Sequence, residues 1–171
     1  MTPHRTGIAL GSNLGDRTRH LQLAVRALLD LHAPGEPFLA SPIYQTEPRF
    51  CPPDSPPFFN AVIELAWSGT AAELHRKSQA IETSLGRTRN DLRNAPRVID
   101  IDLLYVGEQI TNTPTLDLPH PRIGERRFVL EPLAAIRPDL ILPGSILPLT
   151  ELLRLFASDE PPLVPITDTL L

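Results

Sequence analysis

Pro96-Arg97-Val98-Ile99-Asp100-Ile101-Asp102-Leu103-Leu104 places two carboxylates two residues apart inside an apolar, β-branched run. Such a run reads as a strand, and a strand turns residues i and i+2 to one face, roughly 6.6 Å apart along the chain. Asp100 and Asp102 therefore share a face, with Ile99, Ile101 and Leu103 on the other. Like charges side by side weaken a strand, and a hard cation held by both would offset that repulsion. The competing reading is a solvated sheet face that happens to carry two acids. Leu104, apolar and next on the same face, argues against it.

Working outward from this strand, the chain spells β-α-β-β-α-β. Thr6–Leu10 is a short strand, and Gly11 to Asp16 turn into a helix over about 17–31 with Leu21, Val25, Leu28 and Leu29 on its apolar face. Asp16 or Asn13 stands at its cap. Phe38–Tyr44 and Phe59–Trp67 read as strands, separated by a loop over 45–57 with five prolines. Thr70 and Glu73 have capping-box spacing, and Leu74, Ile81 and Leu85 line a helix that stops at Gly86. A charged loop over 87–97 leads into the Val98–Val106 strand. This order predicts an α+β fold with a ferredoxin-like core, an antiparallel sheet with helices packed on one face. Small C-terminal additions follow: a strand near Ile110 and short helices over Phe128–Ala135 and Leu149–Phe156. The segment 160–171 either packs across the domain or is loose.

The bulk composition narrows the function. At 171 residues and 42% hydrophobic content the chain, 1–171, fits one domain. A net charge of -4 gives no global footprint for nucleic acid. Cys51 is the single cysteine, which excludes an internal disulfide and a multi-cysteine zinc site. No apolar run approaches the ~20 residues that span a bilayer, and the N-terminus does not read as a signal peptide. A cytoplasmic protein with no membrane partner is expected.

Several further clusters carry chemistry. Arg87, Arg89, Arg93 and Arg97 oppose only Asp91, a local charge of +3 in an acidic protein. A cationic loop beside paired acids suits phosphoryl transfer, though a solvated basic loop has the same composition. Gly11-Ser12-Asn13-Leu14-Gly15 follows a strand and opens a helix, where amides can meet an anion, but it is neither a Walker A sequence nor a GxGxxG signature. His120 is held between Pro119 and Pro121, with Arg122, Arg126 and Arg127 close behind; it could donate to a phosphate or act as an acid. His4, His20, His32 and His75 show no metal spacing, and a zinc site from Asp100, Asp102 and His120 is the weaker alternative. Phe58 and Asn60 share a strand face, a pairing that suits a flat heterocycle with a polar edge. Cys51 has no partner base and reads as inert. Together these features describe a transferase that uses Mg-ATP without a Walker lysine.

At this point the sequence resembles the 6-hydroxymethyl-7,8-dihydropterin pyrophosphokinase family of folate biosynthesis. The resemblance runs through Ala9-Leu10-Gly11-Ser12-Asn13-Leu14-Gly15-Asp16, Ser41 to Pro48, Phe58-Phe59-Asn60-Ala61-Val62, Ile81-Glu82 and Leu85 to Arg89. Its most specific parts are Pro96 to Leu104, Leu118-Pro119-His120-Pro121-Arg122 and Glu125 to Leu130. It implies transfer of pyrophosphate from ATP, the co-substrate, to the pterin hydroxymethyl group with release of AMP. It further implies two Mg²⁺ ions on Asp100 and Asp102. Arg87, Arg97 and His120 would meet phosphates, with Arg89, Ile99 and Arg126 alongside the nucleotide. Arg93 would sit on a mobile loop, where Asn94 replaces the Trp of some members. Asn60 would hydrogen-bond the pterin, Phe58 and Phe128 would stack on its faces, and Thr46 and Glu47 would meet its edge. Glu82 would lie beneath the site in support. The partners implied are these two small molecules, with no nucleic acid. A monomer is expected, a dimer being the alternative. A metal nuclease and a ferredoxin-like sensor module are the competing classes.

Overall fold

The computed structural model describes residues 2–49, 51–88, 95–157, 159–166 and 168–171. Four strands carry the sheet in the order β2-β4-β1-β5, every pair antiparallel. They are β1 (His4–Ser12), β2 (Leu39–Ala40), β4 (Phe58–Trp67) and β5 (Asp100–Val106). A fifth, β3 (Tyr44–Thr46), pairs with β4 beyond β2. The expected strand over Phe38–Tyr44 is thus two pieces along one neighbour. Pro42 has no N–H to give to a ladder, and Ser41 bridges the gap: its N–H donates to the Val62 carbonyl and its Oγ accepts from Val62 N, both at 2.9 Å.

Helices α1 (Arg17–Leu29) and α2 (Ala71–Ser84) lie on one face. Asp16, rather than Asn13, caps α1, accepting from Arg19 N at 3.0 Å. The Thr70–Glu73 capping box is complete in both directions, and Gly86 ends α2 at a φ of +95° that suits glycine. Alternation along β4 sends Ala61, Ile63 and Leu65 to this face, where Ile8, Leu10, Leu21, Val25, Leu28, Leu74 and Ile101 close the main core.

The two core helices share one face as expected, and the C-terminal additions cover the other. Val62, Leu104 and Tyr105 pack under α3 (Arg127–Ile136), through Val129, Leu130 and Leu133, and under α4 (Leu149–Arg154). A bulge makes room for this: the β1–β5 register shifts so that Ile8 faces Leu103 and Gly7 faces Tyr105. Leu104 and Tyr105 then both join the second core, while Val106 returns to the first. Tyr105 lies flat over Gly7, where a Cβ would come within 2.2 Å of its ring. Beneath α3 a charged cluster surrounds a buried carboxylate. Glu64, on β4, is fully buried and accepts from Arg5 through Nε (2.8 Å) and Nη2, from Tyr105 Oη and from Arg137 Nη1.

A small hairpin, β6 (Thr111–Asn112) with β7 (Asp117–Leu118), and a 3-10 turn over Ile123–Glu125 join β5 to α3. The described residues of 160–171 pack along the molecule. Pro165 bridges Tyr44, Ile166 N donates to the Ile43 carbonyl at 2.9 Å, and Thr18 Oγ1 donates to Asp168 at 2.6 Å. Leu170 is buried in the main core. Among the described residues no helix is long and apolar enough to cross a membrane.

Candidate active site

One end of the sheet opens into a cavity of about 880 Å³ on the face away from α1 and α2. Its floor is strand: Ala9, Leu10 and Gly11 from β1, Phe58 and Asn60 from β4, Asp100 and Asp102 from β5. One wall is the end of β3 and the loop after it, with Thr46, Glu47, Arg49 and Cys51. Facing it stand Arg87 and Arg97, then His120, Arg122 and Arg126, and the start of α3 with Arg127 and Phe128. Strand periodicity explains the floor, since alternation turns Ile101 and Leu103 into the main core and leaves the two aspartates to the cavity.

Asp100 is held from two sides. Arg87 Nη1 donates to its Oδ1 at 2.5 Å and Arg97 Nη1 to its Oδ2 at 3.0 Å. Arg87 also pairs with Glu82, the buried carboxylate of α2. Glu82 Oε1 accepts from Ile101 N at 2.7 Å, so one side chain ties α2, Arg87 and β5 together. Burial pushes Glu82 up to about 7, against the pull of that N–H and of Arg87. Burial likewise raises Asp102 to about 6, with the Asp100 charge adding to it and Arg126, Arg87 and Arg97 opposing.

His120 donates its own N–H to the Leu104 carbonyl at 2.7 Å, and its Nδ1 accepts from Arg122 N at 3.1 Å. A backbone N–H can only donate, so the neutral ring carries its proton on Nε2. Burial first, then Arg126 and Arg122, hold His120 below its ordinary value. It is a neutral donor at pH 7 rather than a charged acid. Asn60 Nδ2 donates to Thr46 Oγ1 at 2.6 Å, and a Cβ at Gly11 would sit 3.0 Å from Asn60 Oδ1, so glycine keeps that amide in place.

Asn13 joins two sides of the site. Its N–H donates to the Arg97 carbonyl (3.1 Å), its Oδ1 accepts from Arg97 N (2.8 Å), and its Nδ2 donates to the Pro56 carbonyl (3.2 Å). Arg17 adds a bond to the Pro57 carbonyl at 2.8 Å and covers Phe59 at 3.7 Å.

The structure thus gathers Thr46, Glu47, Phe58, Asn60, Arg87, Arg97, Asp100, Asp102, His120, Arg126 and Phe128 around one cavity. Ile99 is not among them: its side chain is fully buried in the main core, because it alternates with Asp100. Any contact it makes with a nucleotide is left to its main chain. Arg89 and Arg93 lie outside the described residues, as does Asn94. Sequence reasoning passed over Arg49, Cys51, Glu125 and Glu160 as lining residues. The proline-rich stretch marked the loop that carries the first two, whereas nothing local marked Glu160.

Among the described residues no three His, Cys, Asp or Glu side chains come together as a metal-binding group. Two carboxylates on one strand face are nevertheless the open half-set that Mg²⁺ takes, completed by water and substrate phosphates. The donor set fits magnesium.

The sequence profile of 7,8-dihydro-6-hydroxymethylpterin-pyrophosphokinase (HPPK) matches residues 7–138. The 2-amino-4-hydroxy-6-hydroxymethyldihydropteridine pyrophosphokinase of Bacillus subtilis is 45% identical over 129 residues, 75% of either chain. The protein of that name from Pseudomonas aeruginosa is 42% identical over 140 residues, 81% of this chain and 84% of its own. Among solved structures, wild-type Plasmodium falciparum HPPK-DHPS with SDX-DHP superposes with a TM-score of 0.70 at 11% identity. The match covers 90% of this chain and 44% of that one, and it carries the fold alone. With its sheet, its cavity and this match over most of its length, the chain belongs to the 7,8-dihydro-6-hydroxymethylpterin-pyrophosphokinase family.

Proposed function

We propose that this protein transfers pyrophosphate from ATP to the hydroxymethyl group of 6-hydroxymethyl-7,8-dihydropterin in folate biosynthesis. The alcohol oxygen bonds to the β-phosphorus, the bond from that phosphorus to the α–β bridging oxygen breaks, AMP leaves, and the alcohol proton passes to solvent. The observation that carries this reading is the meeting of paired acids, arginines and an aromatic–amide pair in one cavity of a family member.

Asp100 and Asp102 would hold two Mg²⁺ ions, which when bound supply counter-charge to the phosphates. Arg87 and Arg97, already braced on Asp100, face the polyphosphate as paired donors. His120 adds its Nε2–H as a neutral donor. Arg126 takes the nucleotide side, with the Ile99 main chain, and Arg89 and Arg93 are assigned to the substrates by the resemblance alone. Phe58 and Phe128 enclose the pterin ring between them, Thr46 and Glu47 meet its edge, and Asn60 reads it with an amide oriented by Thr46. Positioning the alcohol against a charge-neutralised phosphate does most of the work; no side chain here is assigned as a general base. Residues 1–171 act as one domain, a cytoplasmic monomer on small-molecule substrates.

The test is incubation with Mg-ATP with and without the reduced pterin alcohol. AMP release that depends on the pterin is expected; AMP or phosphate release indifferent to it would point to a phosphohydrolase and overturn the reading. Within the same assay Arg97→Ala should raise the KM for ATP about tenfold or more, the loss of one charged hydrogen bond to phosphate. Pterin affinity titrated without nucleotide should stay close to the parent value. Equal weakening of both would move Arg97 away from the phosphates.

A further inference from the structure

Glu160 lies beyond the stretch matched by the family profile, yet it lines the cavity. Its carboxylate pairs with Arg49 Nη1 at 2.9 Å, and its own carbonyl accepts from Arg127 Nη1 at 2.9 Å. Arg49 belongs to the loop that leaves β3 at Thr46 and carries Glu47. Arg127 opens α3 one residue before Phe128. One residue therefore touches both walls of the pocket assigned above to the pterin.

The segment that presents Glu160 is anchored on both sides. On the α3 side, Leu163 N donates to Glu131 Oε1 at 3.0 Å, and Arg127 Nε donates to Glu131 Oε2 at 3.0 Å. On the sheet side, Pro165 and Ile166 are joined to Tyr44 and Ile43. The far end of the proline-rich loop is separately tied down at Pro56 and Pro57 by Asn13 and Arg17. The near end, around Arg49, reaches the opposite wall through Glu160. The Glu160 side chain is 19% exposed and that of Arg49 54%, so solvent partly screens the pair and its effect is modest.

We propose that Glu160 is a positioning residue for the acceptor pocket, holding the loop after β3 through Arg49 and the start of α3 through Arg127, so that the C-terminal segment sets the width of the slot that receives the flat acceptor. This rests on the pyrophosphokinase reading for the identity of the acceptor.

The experiment compares the full chain with Glu160→Gln, Arg49→Gln and the charge-swapped double variant Glu160→Arg with Arg49→Glu. With Mg-ATP present, each single variant should raise the KM for the pterin alcohol about fivefold, the size expected of a partly exposed ion pair, with less effect on the KM for ATP. The swap should recover most of that loss, which a general loosening of the fold would not do. Amide hydrogen exchange without any substrate supplies a second readout. Thr46–Arg49 should exchange about fivefold faster in both single variants and return toward the parent rate in the swap. Unchanged exchange, or a KM for ATP that rises as much as that for the pterin with no rescue by the swap, overturns the clamp. A parent protein with no pterin-dependent AMP release overturns the functional reading instead, and the exchange data still decide whether the clamp exists.

Discussion

Asp102→Asn is expected to lose turnover by on the order of 10³-fold, the scale of removing a group that neutralises transition-state charge, while the metal-free protein becomes more stable at pH 8. The two effects share one cause. Burial and the neighbouring Asp100 raise the Asp102 carboxyl to about 6, above its ordinary value near 3.9. A raised carboxyl supports the fold fully below that ordinary value, and the support is lost as pH climbs through 6. At pH 8 the charged form is paid for by the fold, and asparagine removes that burden, by on the order of 1 kcal/mol. Melting in EDTA should therefore show Asp102→Asn above the parent at pH 8 and level with it at pH 4. Near-normal turnover of Asp102→Asn with Mg-ATP and the pterin alcohol would sink the metal assignment. A lower melting temperature at pH 8 would sink the view of Asp102 as a carboxylate kept for function against stability.

Glu64→Ala should cost about 3–5 kcal/mol, the scale for breaking a buried ion pair from one side. The carboxylate is wholly enclosed and serves Arg5, Arg137 and Tyr105 at once. Burial and the Glu64 charge hold the Tyr105 hydroxyl far above its usual range, so it stays a donor at any ordinary pH. Removing the acceptor leaves the Tyr105 hydroxyl buried without it and takes the shared carboxylate from two part-buried guanidinium groups. Urea unfolding at pH 7 measures the loss directly, and against a typical total of about 5–15 kcal/mol it takes a large share. A change under about 1 kcal/mol would mean that the arginines swing out to solvent and the cluster contributes little. Glu64 and Asn60 lie on the same strand but four residues apart, so the folded fraction of the variant should keep its affinity for the pterin alcohol.

What the sequence made legible was whatever depends on short-range rules. The period of two in β5 placed Asp100 and Asp102 together and sent Ile101 to the core; the same rule joined Phe58 to Asn60. The Thr70–Glu73 box marked a helix start because a cap involves residues three apart. The unreadable parts are contacts across the chain. Arg5 and Glu64 are 59 residues apart, and Glu64 and Arg137 are 73 apart. Neither position stands out locally, since a lone Glu in a strand reads as an outward residue. Asn13 looked like a turn residue, and only the return of residue 97 beside it turns its amide into a staple. The β5 bulge was equally hidden, because it depends on Gly7 being small enough to lie under Tyr105.

The division of the outer strand at Ser41 and Pro42 bears on how the protein behaves in a crowded solution. An open sheet edge with a long row of idle amides invites a strand from another molecule, the first step towards aggregates. Here that edge has two residues in β2 and three in β3, with a proline between them. Beside β3 the Ile43 carbonyl is already taken by Ile166. At the opposite edge the Leu104 carbonyl is taken by His120. A neighbouring copy therefore meets a short, divided border on the β2–β3 side and, on the seven-residue β5, a border engaged at Leu104, and the divided side is the one guarded best against templated pairing at high concentration.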